Sequence, residues 1–137
     1  MAARFDAVGL VVSDMKASVS FYALLGLDFT DPTGSGRHLE AEGTGGSRLR
    51  LDTESVVAGF DATWSPPAPG PVRARLGVRC DATAEVDRLH AAAVERGHRS
   101  AVEPCDAFWG QRYASLLDPD GNPVDLFADL PEAHDLG

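Results

Sequence analysis

The residues best suited to chemistry in this chain lie between positions 108 and 127. Phe108, Trp109 and Tyr113 precede the turn Asp118-Pro119-Asp120-Gly121-Asn122, and Asp125 and Phe127 follow it. Four aromatic residues, from a total of six Phe, two Trp and two Tyr, thus share twenty positions with a carboxylate. Rings of this kind stack on planar groups, and a carboxylate fixes a polar group or a cation. A second set is charged at alternate positions: Arg48, Arg50 and Asp52, and again Arg75 and Arg79 around Gly77. Alternate residues of a strand share a face, so each set presents its charges to one side. These groups can orient a ligand. They can equally pair with one another, since an unpaired charge in a concave site is costly.

Of the four histidines, His90 falls in a helical segment, His98 follows its closing Gly97, and His134 is in the tail. Only His38, in a strand, is placed to reach a pocket. Cys105 precedes the aromatic run, with no base beside it to make it a nucleophile. Cys80 and Cys105 make neither a disulfide framework nor a metal-type Cys pair. Trp64 opens a Pro-rich connector, where an exposed Trp is expected to pack on a ligand or a second subunit.

Periodicity supplies the elements that position these residues. Residues 7–12 read as a strand. Ser13-Asp14 caps a helix over 15–25, and Gly26 ends it. Strands follow over 27–30, 38–42 and 48–52, then a helical turn within 53–60. The pattern restarts with a strand over 73–80. A helix over 84–96 follows, capped by Thr83, with Val86, Leu89, Ala93 and Val94 inward. A strand over 99–102 leads to the hairpin, where Val124 and Leu126 point away from Asp125 and Phe127.

This is a βαβββ unit written twice, an internal repeat within one short chain. Residues 46–52 line up with 121–127, and 7–10 with 75–78, which superposes Gly9 on Gly77. The expected fold is α+β: two βαβββ modules forming an open, curved mixed sheet around a cup. The first module is expected over residues 1–60, a Pro-rich connector over 61–72, the second module over 73–131 and a tail over 132–137. The cup would be floored by Arg48, Arg50, Asp52, Arg75, Asp125 and Phe127, and flanked by Trp64, Phe108, Trp109 and Tyr113. That composition suits a planar molecule rich in heteroatoms.

At 137 residues, 44% hydrophobic and 24% charged, the chain has the composition of a soluble globular protein. A net charge of −9 disfavours nucleic acid as a partner. Neither a signal peptide nor a membrane span is read, so the expected compartment is the cytoplasm.

The doubled βαβββ pattern, with Asp14-Met15-Lys16-Ala17-Ser18-Val19-Ser20-Phe21-Tyr22 early and Asp118-Pro119-Asp120-Gly121-Asn122 late, resembles the vicinal oxygen chelate superfamily. That group contains glyoxalase I, extradiol dioxygenases, fosfomycin resistance enzymes and bleomycin-binding proteins. Residues 52–56, 60–64 and 106–113 are more specifically similar to the mitomycin-binding resistance branch. In its enzymes the superfamily implies a divalent cation held by four ligands, usually His or Glu. The matching positions here are Ala7, Arg50, Arg75 and Asp125, of which only Asp125 can ligate. The expectation is therefore a protein without metal or other cofactor. The resemblance further implies a homodimer that sequesters a small aromatic natural product or antibiotic, for resistance or transport. Stacking would involve Trp109, Tyr113 and Trp64, with Arg48, Arg50, Arg75 and Asp125 orienting the ligand. Cys105 stands where relatives of that branch have Trp. Two alternatives remain. One is a metal-dependent glyoxalase-, dioxygenase- or isomerase-type enzyme with divergent ligands, or with His38 and Asp125 as an acid–base pair. The other is a structural module with an empty cup.

Overall fold

A computed structural model describes residues 2–43 and 45–131. The chain divides into two compact units, Met1–Pro69 and Gly70–Gly137. Each is a four-stranded mixed sheet with helices, so the α+β fold of two βαβββ modules is the observed one. Among the described residues no helix is long and apolar enough to cross a membrane.

Unit 1 runs β1 (Ala7–Val12), α1 (Met15–Leu24), β2 (Asp28–Phe29), β3 (His38–Glu42), β4 (Arg48–Thr53) and α2 (Glu54–Phe60), with sheet order β1-β4-β3-β2. Asp14 starts α1 by accepting a 3.1 Å bond from the Ala17 amide, and Gly26, at φ 98°, turns the chain out of it. The helix buries Met15, Val19, Phe21 and Tyr22, and the strands bury Leu39, Leu49 and Leu51. Burying these aliphatic and aromatic side chains is the main favourable term in holding the unit together. Strand alternation then turns His38, Glu40, Arg48, Arg50 and Asp52 to the opposite face.

Unit 2 repeats the plan with β5 (Leu76–Arg79), α3 (Thr83–Glu95), β6 (Arg99–Ala107), β7 (Gln111–Leu117) and β8 (Pro123–Asp129), ordered β5-β8-β7-β6. The repeat extends to register: Gly9 faces Arg50 across the parallel β1–β4 pair, and Gly77 faces Asp125 across β5–β8. In the hairpin, Val124 and Leu126 are fully buried while Asp125 and Phe127 lie on the more open face.

Local departures from the sequence reading have physical causes. Helix α3 begins at Thr83 itself, and its N-cap, Ala82, makes no side-chain bond. Val94 is 44% exposed, and His90 takes the inward place at 4%, because the stripe runs 86, 89, 90, 93. His90 Nε2 is satisfied there by Ser100 Oγ at 2.7 Å. Strand β6 extends to Ala107, where a strand ending at 102 was expected. Its register shifts between Ser100 and Val102 and between Val102 and Cys105 interrupt the alternation that marks a strand. Pro104 is tolerated because β6 is an edge strand. Strand β5 begins only at Leu76, so Arg75 lies just before it.

Candidate functional site

The open face of the unit 2 sheet gathers most of the aromatic and charged candidates. Register places Tyr113 beside Phe127, Ser115 beside Asp125, and Cys105 beside Tyr113. Arg75 reaches over Asp125 with two charge-assisted bonds, Nε to Oδ2 at 3.1 Å and Nη2 to Oδ1 at 2.8 Å. The same Nη2 also approaches Ser115 Oγ at 3.0 Å and the Tyr113 hydroxyl at 3.2 Å. Tyr113 donates its own proton to Asp125 Oδ1 at 2.8 Å. Burial raises the Asp125 carboxyl's pKa, but bonds from Arg75, Tyr113 and Ser115 outweigh it and hold the pKa below the usual value. Tyr113 shifts upward, first through burial and then through its bond to the Asp125 carboxylate. The Arg–Asp pairing that the sequence allowed is present as Arg75–Asp125, and such a pair can also contact a ligand.

An aromatic ledge adjoins this network. Phe108 and Trp109 occupy the β6–β7 turn, which Gly110 closes at φ 92°. Trp109 meets Phe108 edge-on at 5.1 Å and Tyr113 at 5.3 Å, and its indole N–H donates to Gln111 Oε1 at 2.9 Å. Phe108 is 97% exposed and Trp109 51%, so rings remain open to a stacking partner. Phe127 lies under the Arg79 guanidinium, 4.9 Å from its centroid. Cys105 is an exposed free thiol, whereas Cys80 is buried, and burial pushes its thiol pKa up.

The open face of unit 1 carries a chain of polar and charged contacts. His38 Nδ1 lies 2.5 Å from Asp52 Oδ1, and its Nε2 is 3.6 Å from Glu40 Oε1. Glu40 accepts from Arg48 at 2.7 Å, and Arg48 also binds Asp6. The Asp6 carboxyl is held low mainly by that bond. Thus His38 bonds Asp52 within its own unit. Arg50 is exposed and makes no hydrogen bond or ion pair among the described residues. Trp64 lies half-buried in the loop after α2, its amide bonded to the Asp61 carbonyl at 3.2 Å. His98 stays on the α3–β6 connection, and burial, with Arg96 nearby, lowers its pKa. His134 lies outside the described residues.

Sequence reasoning missed Ser115, Glu40, Gln111 and Asp6 as partners. Ser115 and Glu40 were within reach of the alternation rule, being two residues from Tyr113 and from His38. Gln111 and Asp6 enter only through contacts that depend on side-chain reach.

The donor set does not suit a metal ion. In unit 1 the two expected positions are Ala7, without a donor atom, and Arg50, a permanent cation. In unit 2 they are Arg75 and Asp125, which neutralise each other. Among the described residues no group of three or more His, Cys, Asp or Glu is placed to hold a metal.

A family model described as the Glyoxalase/Bleomycin resistance protein/Dioxygenase superfamily matches residues 4–126. Among solved structures, a glyoxalase/dioxygenase from Nostoc punctiforme is 26% identical with TM-score 0.71, covering 94% of this chain and 92% of that one. A glyoxalase/bleomycin resistance protein/dioxygenase family enzyme from Burkholderia phytofirmans is 21% identical with TM-score 0.74, over 91% and 98%. A lactoylglutathione lyase from Agrobacterium tumefaciens is 19% identical with TM-score 0.66, over 93% and 95%. The last two likenesses are of fold alone. No curated protein matches the chain.

Proposed function

The chain belongs to the glyoxalase/bleomycin resistance protein/dioxygenase superfamily, and on that premise we propose that it binds a small aromatic natural product or antibiotic without a metal ion. In this reading it holds the ligand stoichiometrically, for resistance or transport, and does not convert it. One observation carries the reading. The carboxylate at the expected metal position, Asp125, is engaged by Arg75 and Tyr113, and Tyr113 continues into the exposed ledge of Trp109 and Phe108. A ring stacked on that ledge lies near fixed polar groups that can orient its heteroatoms. The likeness of residues 52–56, 60–64 and 106–113 to the mitomycin-binding branch supports the same class of ligand, and a homodimer as the working form.

The test is tryptophan fluorescence against a panel of planar aromatic antibiotics, with chromatography of the mixture afterwards. The reading expects saturable quenching, unchanged ligand, and loss of the quenching in Trp109→Phe but not in Trp64→Phe if a single chain suffices. Loss in both variants points to a site completed by a second copy. Turnover that depends on added Zn²⁺, Mn²⁺ or Ni²⁺ overturns it.

A second reading rests on the His38–Asp52 contact at 2.5 Å. A carboxylate that fixes one ring nitrogen leaves the other to move a proton, so this pair fits an isomerase-type enzyme. It expects turnover that survives Trp109→Phe and fails in His38→Gln.

A further inference from the structure

The two modules treat equivalent glycines differently. In unit 2 the space over Gly77 is filled from within: a Cβ there would meet Phe127 Cε1 at 3.2 Å, and Arg79 holds that ring. The facing residue, Asp125, is occupied by Arg75. In unit 1 each filling group is missing. The residue aligned with Phe127 is Asp52, whose carboxylate turns to His38. The residue aligned with Arg75 is Ala7, which has no charge to offer. The nearest atom to a Cβ on Gly9 is Arg50 Nη2, at 4.0 Å.

The carboxylates around Arg50 are already engaged by other side chains. Glu40 is its cross-strand neighbour, yet Glu40 bonds Arg48, as does Asp6, while Asp52 bonds His38. The Arg50 guanidinium therefore stands exposed beside an unfilled glycine, its planar fork of donors unused among the described residues. A fork of this shape fits a planar carboxylate through two parallel bonds. We propose that Arg50, over Gly9 on the open face of unit 1, is a binding site for the carboxylate of a small ligand. The site is built from unit 1 alone and does not rest on the aromatic-ledge reading.

The experiment titrates the whole chain with sodium benzoate at constant ionic strength. It follows the Arg50 Nε–H resonance by ¹⁵N NMR, assigned by its loss in Arg50→Gln. The expected result is a saturable shift of that resonance and of the Gly9 amide. In Arg50→Gln the remaining Gly9 shift should need about tenfold more benzoate, the usual effect of deleting one charge-assisted contact. Gly9→Val, which fills the space and leaves Arg50 in place, should weaken benzoate similarly, with far-UV circular dichroism confirming the fold. Arg96→Gln, at the end of α3, should leave the titration unchanged. No saturable shift at Arg50, equal weakening by Arg96→Gln, or an equal response to inorganic phosphate each overturns the assignment. Because benzoate is read at Arg50 and Gly9, failure here leaves quenching at Trp109 as a separate result.

Discussion

Replacing Arg75 by Met isolates what the unit 2 network does for stability. The substitution removes both bonds to Asp125 and the contacts to Ser115 and Tyr113, leaving a carboxylate whose side chain is only 19% exposed with the Tyr113 hydroxyl as its main donor. Breaking a fully buried ion pair costs roughly 3–5 kcal/mol, and an exposed pair is worth roughly 0–1 kcal/mol. Arg75 is 49% exposed, so solvent screening discounts the buried figure, and the expected loss at pH 7 is about 2 kcal/mol. The pH dependence gives the sharper test. In the native chain Asp125 has a lowered pKa, so its contribution is complete above the unfolded carboxyl pKa and is lost as pH falls through the folded value. In Arg75→Met the burial that opposed Arg75 remains while the bonds and charge of Arg75 are gone, so the folded pKa rises from its native position and the stability that Asp125 contributes above the unfolded pKa is reduced. The difference between native and variant stability should therefore shrink as pH falls from about 7 to about 3, below the ordinary carboxyl range and toward the lowered native value. Urea unfolding in a Trp64→Phe background reads this from Trp109, which lies in unit 2. Arg75→Met/Asp125→Leu, which also removes the stranded charge, should recover much of the loss at pH 7. A loss of the same size at both pH values, or no recovery in the double variant, would show that the network does not hold Asp125 as described.

Three further outcomes follow from individual contacts. Ser18 is fully buried in α1 with an Oγ that has no hydrogen-bond partner among the described residues, so Ser18→Ala should raise stability by about 1 kcal/mol in urea unfolding. Gly34 sits at φ 72°, and a Cβ there would lie 2.8 Å from the Lys16 Cα. Gly34→Ala should destabilise by about 2 kcal/mol or more, read as a lowered thermal midpoint. Asp118 accepts from the Asp120 and Asn122 amides at 2.9 and 2.8 Å and from Asn122 Nδ2 at 3.0 Å. Asp118→Ala should cost about 2 kcal/mol, while Asp118→Asn, which keeps an acceptor, should recover part of it in the same assay.

The parts of the site that were legible in the sequence share one property: they follow from period-two alternation inside strands. Asp125 and Phe127 fall opposite Val124 and Leu126 because consecutive strand residues point to opposite faces, and the same rule groups Arg48, Arg50 and Asp52. The rule failed where alternation itself is broken. Strand β6 was cut short at its two register shifts, and one member of the inward stripe of α3 was misassigned, Val94 in place of His90, because Val94 is apolar and His90 is not. A polar residue with a partner 2.7 Å away can sit in a core where hydrophobicity alone would not put it.

By itself, then, the sequence determined the doubled βαβββ architecture and the face on which residues of its regular strands lie. These depend on residue type and local period, which are written along the chain. Only the tertiary structure decided which charges meet. Arg75 went to Asp125, Arg48 to Glu40 and Asp6, and His38 to Asp52, while Arg50 was left open beside Gly9. Several oppositely charged side chains share each face, and their type and spacing allow more than one pairing. The choice is made by strand register, side-chain reach and the competition for each carboxylate, and these exist only once the sheets have formed.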